Sequence, residues 1–167
     1  MNNLTEKEKY FEDFLAGNQM NFIIMFNTSH LHPMIVHFPI ALITVGFVAE
    51  VVSLFFKSEK CLSKTGFYLM ILGTIAAVVA WTTGQLFTNE PAQGEIVRVF
   101  AQHETGALIT MILMIIGSVF RILLIIKKKD ETQLKWIAFG FYFLAFAAVT
   151  FTGYMGGTMV YNFMMSL

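Results

Sequence analysis

Four apolar stretches, residues 39–56, 66–87, 106–126 and 136–155, approach or exceed the length a helix needs to cross a hydrocarbon core. That length is about 20 residues at about 1.5 Å each. The first stretch is the shortest, and it lengthens if its helix begins at Pro33, where a missing N–H costs nothing. Pro39 would then lie inside the helix and bend it just past His37. Composition points the same way: 56% of residues are hydrophobic and 13% charged, with a mean hydropathy of +0.66. A soluble domain carries about one-quarter charged residues. The expected fold is all-α, an integral membrane four-helix bundle of two tandem helical hairpins.

Charge sets the orientation. Lys57, Lys60 and Lys64 lie between the first two stretches, and Lys127, Lys128, Lys129 and Lys135 between the last two. The positive-inside rule therefore puts these links in the cytoplasm and both termini outside. In a bacterium this is a multi-pass protein of the inner (cytoplasmic) membrane with periplasmic termini. Residues 1–29 form a separate outer-face segment and residues 30–167 the transmembrane domain. Acidic residues at the start and the brevity of the apolar run 22–26 argue against a cleaved signal. Tyr10, Phe11, Phe14 and Leu15 have helical spacing, consistent with a helix lying on the membrane surface; a flexible tail is the equal alternative.

The net charge is zero and no long basic run exists, so nucleic acid is not an expected partner. The lipid bilayer is. With one cysteine, Cys61, the chain cannot form an internal disulfide or attach haem covalently.

An internal repeat bears on function. The octet His37 to Thr44 (HFPIALIT) and the octet His103 to Thr110 (HETGALIT) share His, Ala, Leu, Ile and Thr when His37 is aligned with His103. Thr83-Gly84 and Thr152-Gly153 echo each other near the ends of the two partner stretches. Two parallel hairpin repeats are related by a pseudo-two-fold axis along the membrane normal. On this letter register His37 and His103 lie at equal depth on diagonal helices of the bundle. Two inward imidazoles can provide both axial ligands of a non-covalent haem b. Gly84, Gly106, Gly153, Gly156 and Gly157 lie near the same face and offer room for a flat macrocycle, although small residues are as commonly packing devices. Arg98 and His32 are the candidates for contacts to haem propionates, and His32 is also an alternative ligand if Pro39 bends the helix.

Two charges fall within the apolar segments. Glu50 is thirteen residues past His37 and Arg121 eighteen past His103, a difference of about 7 Å in depth. An ion pair, a proton-handling role for Glu50, its contact with another subunit, and snorkelling of Arg121 all remain open.

The string His32-Pro-Met-Ile-Val-His-Phe-Pro-Ile-Ala41 forms a box, H-P-x-x-x-H-F-P-I-A. Near the end, Gly153-Tyr-Met-Gly-Gly-Thr-Met-Val-Tyr161 has the form G-x-x-G-G-x-x-V-Y. With these two motifs the chain resembles, over residues 30–162, a bacterial family of four-helix membrane proteins of unknown function. The resemblance implies the fold and brings no established activity. The chain departs from it after Tyr161, where Asn-Phe stands in place of an expected histidine or glycine.

The functional expectation is a b-type cytochrome-like subunit that transfers electrons at the periplasmic face. Its partners are quinol, a periplasmic electron carrier or other membrane subunits. No histidine lies near the cytoplasmic ends, so a second bis-histidine haem cannot be built there. Two rivals stay open. One is a copper- or zinc-binding protein using His30, His32, His37 and His103, with Glu104 as a further ligand. The eleven methionines are scattered and add no copper motif. The other is a non-catalytic assembly subunit.

Overall fold

The computed structural model describes Lys9 and residues 31–56, 58–129 and 132–163. The surface-helix or tail alternatives for residues 10–15, and His30, lie outside the described residues. Among the described residues four long helices follow in order: α1 (Leu31–Phe55), α2 (Lys60–Phe87), α3 (Glu95–Ile126) and α4 (Lys135–Phe163). Each is long and apolar enough to span a membrane. α1 starts two residues ahead of Pro33 and carries Pro39 in its interior, buried against the bundle.

The loops turn sharply. Gly94 opens α3 at φ 94°, a left-handed conformation that glycine adopts without a Cβ clash. At the far end of α3, Lys128 takes φ 54°. There Lys129 N–H donates to Leu124 O and Lys128 N–H to Ile125 O, which caps carbonyls that the helix leaves unpaired. Lysines at this end also favour the negative end of the helix dipole.

α1 packs chiefly on α2, and α3 on α4; the α2/α3 and α1/α4 seams are thinner, which leaves α1 diagonal to α3. This is a four-helix bundle of two hairpins. Ile43, Phe47, Met70, Met114, Tyr142, Ala145 and Val149 fill its centre. Gly46 is required there, because a Cβ would collide with the Tyr142 hydroxyl.

Burial reveals the true register of the repeat. Pro39, Ile43, Gly46, Phe47, Glu50 and Ser53 are the buried residues of α1, and at one constant spacing each has a buried counterpart in α3: Thr110, Met114, Gly117, Ser118, Arg121 and Leu124. The buried residues of α2, Gly66, Met70, Gly73, Ala77 and Ala80, map in the same way onto Ala138, Tyr142, Ala145, Val149 and Thr152 of α4, all buried. The letter register matches letters but not faces. It pairs Ile43, which is buried, with Ile109, which is exposed. The two registers differ by five residues, which turns a helix by about 140°, since each residue turns it about 100°. The counterpart of His103 is therefore His32.

The two ends of the bundle differ. At the α1–α2 link end, buried Glu50 and Arg121 pair at 3.5 Å. Lys135 Nζ lies 3.9 Å from the Glu50 carboxylate and donates to Ser63 Oγ at 3.1 Å. Arg121 Nη2 also points to Ser63 Oγ, at 3.4 Å. The ion pair left open by the sequence is formed, because the burial register places both charges at one depth. The opposite end is hollow.

Candidate functional site

All four helices contribute to a cavity of about 550 Å³ at the end that holds the N-termini of α1 and α3. Its volume suits a small-molecule ligand or cofactor. The walls are mainly apolar, from residues such as Val36, Ile40, Phe100, Ala107, Val149 and Val160. His32, His37 and His103 line it, as do Gly84, Gly153, Gly156 and Gly157.

Each histidine has its Nδ1 tied. His103 Nδ1 faces Thr152 O at 2.9 Å. His37 Nδ1 faces Pro33 O at 2.7 Å within α1. A carbonyl only accepts, so in the neutral ring Nδ1 carries the proton in both. His32 Nδ1 meets Thr83 Oγ1 at 3.2 Å, and that hydroxyl already donates to Ala80 O. The His32 ring must then donate as well. In all three the Nε2 lone pair is left for a ligand, the arrangement that orients metal-binding histidines.

His32 and His103 are equivalent in more than register. His32 lies over Gly84, where an added Cβ would come within 3.0 Å of the ring; His103 lies over Gly156, where it would come within 3.3 Å. Gly84 and Gly156 are themselves counterparts in the register that relates α2 to α4. Each imidazole thus packs on a glycine of its hairpin partner. Each is also tied to the carbonyl one turn away, His103 directly to Thr152 O and His32 through Thr83 to Ala80 O. Equal depth follows from the opposite end too, since Glu50 and Arg121 are each eighteen residues past their histidine.

Two expected residues fall elsewhere. Arg98 is exposed and pairs with Glu95 at 3.1 Å, away from the cavity lining. Gly106 is buried at the α3/α4 contact, where a Cβ would run into the Thr152 side chain. Sequence reasoning passed over Thr83 and Thr152 as histidine partners, and Trp81, Gln85 and Tyr161 as cavity residues. One signal was available: His32, Gly46 and Glu50 have the same spacing as His103, Gly117 and Arg121.

Among the described residues, no three His, Cys, Asp or Glu side chains converge to hold one metal ion. Two imidazoles alone fall short of the three or four protein ligands that a zinc site takes.

No curated protein and no solved structure matches the chain. Residues 28–166 match a family described as a predicted membrane protein. Since that match spans most of the chain, and the four apolar helices agree with it, this protein belongs to the predicted membrane protein family DUF2231.

Proposed function

We propose that this protein is a b-type cytochrome-like membrane subunit, holding one haem b in the cavity with His32 and His103 as axial ligands. The observation that supports this reading most is the equivalence of the two imidazoles. They stand on diagonal helices at one depth, in one apolar cavity, each with Nδ1 tied and Nε2 available. A haem so held supplies one-electron chemistry. The chain's own work is to orient the two rings through Thr83 and Thr152, to make room at Gly84 and Gly156, and to exclude water with apolar walls. His37, the ligand expected from the letter repeat, stands on the same wall but has no counterpart in the other hairpin, where Leu108 occupies its position.

By the positive-inside rule, the lysine-rich links face the cytoplasm of a bacterial cell and the cavity faces the periplasm. Electrons then enter and leave at that face, from a carrier in the membrane, in the periplasm or in a neighbouring subunit. The test is an absorption spectrum of the purified protein, oxidised and then reduced. A reducible band of bis-histidine haem supports the reading. Metal without haem would favour the copper or zinc reading, and neither would favour an assembly subunit.

A further inference from the structure

The pseudo-two-fold symmetry is broken at one seam of the cavity. At the α2/α3 seam Trp81 lines the wall, and Gln85 Nε2 donates a hydrogen bond to Glu104 Oε1. At the equivalent positions of the α4/α1 seam, Trp81 becomes Gly153, Gln85 becomes Gly157 and Glu104 becomes Pro33. None of these three has a side chain able to bridge the helices. An added Cβ on Gly153 would reach Ile40 at 3.5 Å, and one on Gly157 would meet nothing within 4 Å. The cavity is therefore closed on one flank and slotted on the other.

Among the described residues, His37 is the histidine that the symmetry does not explain, and it stands at this slot. His37 is exposed while also lining the cavity, and its Nδ1–H is committed to Pro33 O. Its Nε2 accepts and needs a donor. Val36 of α1 and Val160 and Tyr161 of α4 line the same cavity, the last 85% exposed. A slot as narrow as two missing side chains, opening towards lipid, admits a flat apolar ring better than a bulky headgroup. An imidazole acceptor at an apolar opening asks for a hydroxyl donor.

From this we infer that the α1/α4 slot is a lateral binding site for a membrane quinol, whose ring hydroxyl donates a hydrogen bond to His37 Nε2. That such a molecule would be the electron donor rests on the haem reading; its binding does not.

The test uses the full chain in lipid nanodiscs. A tritiated short-chain alkyl benzoquinol is titrated anaerobically, with empty nanodiscs subtracted, beside the corresponding dimethyl ether, which keeps the ring and tail and loses both donors. Saturable binding of the quinol is expected, at least tenfold tighter than that of the ether. His37→Ala should weaken quinol binding about tenfold and erase the preference over the ether, while His37→Gln, whose amide oxygen can accept, should keep part of it. Gly157→Leu, whose Cβ enters open space, should block the slot. Equal binding of quinol and ether, or unchanged binding in His37→Ala and His37→Gln, would mean a nonspecific lipid crevice and overturn the inference. The absorption spectrum of the same samples reports haem separately, so either idea can fail without the other.

Discussion

Glu50 and Arg121 occupy equivalent places in the two hairpins and meet as a buried ion pair, 3.5 Å apart, at the end of the bundle opposite the histidines. A two-fold axis brings equivalent positions together, so opposite charges there lock one hairpin against the other. Lys135 and Ser63, also equivalent, complete the cluster.

This cluster predicts an ordered set of stabilities. Glu50→Gln leaves Arg121 and Lys135 facing a neutral amide and should cost about 3 kcal/mol, the scale for breaking a buried pair. Arg121→Leu should cost less, because Lys135 still faces the carboxylate. The double variant should recover part of the Glu50→Gln loss. Thermal unfolding in detergent measures all three, and strictly additive losses would show that the two charges are not coupled.

The histidines predict a spectroscopic order. His32→Ala and His103→Ala should each remove or strongly perturb the haem spectrum, whereas His37→Ala should preserve a six-coordinate iron. Loss of the spectrum in His37→Ala with its retention in His32→Ala would restore the letter register and overturn the structural one.

Glycine substitutions separate packing from space. Gly46→Ala drives a Cβ into the Tyr142 hydroxyl and should lower stability by about 1–3 kcal/mol, the range for overpacking. Gly157→Ala meets no neighbour and should be neutral or stabilising by about 0.5–1 kcal/mol, since alanine loses less entropy in a helix. Melting temperatures of the two variants decide it.

Topology is open to a direct check. A reporter fused after Leu167 should behave as periplasmic and one inserted beside Lys128 as cytoplasmic. The reverse pattern would move the cavity, with its histidines, to the cell interior.

Sequence alone determined that the chain crosses a membrane, how many times, and in two hairpins, because apolar length is additive along the chain and needs no knowledge of neighbours. It also brought His32, His37 and His103 to one end, since depth is counted in residues at a constant rise. Tertiary structure decided which histidines correspond. Rotation about a helix axis depends on which face packs, and in a bilayer both the lipid side and the core side are apolar, so hydrophobicity marks neither. Letters such as Ala-Leu-Ile-Thr recur cheaply in such a chain, and matching them put Ile43 beside a lipid-facing isoleucine. Burial, the glycine under each imidazole and the meeting of Glu50 with Arg121 set the register instead, because contacts across helices specify a face and composition does not.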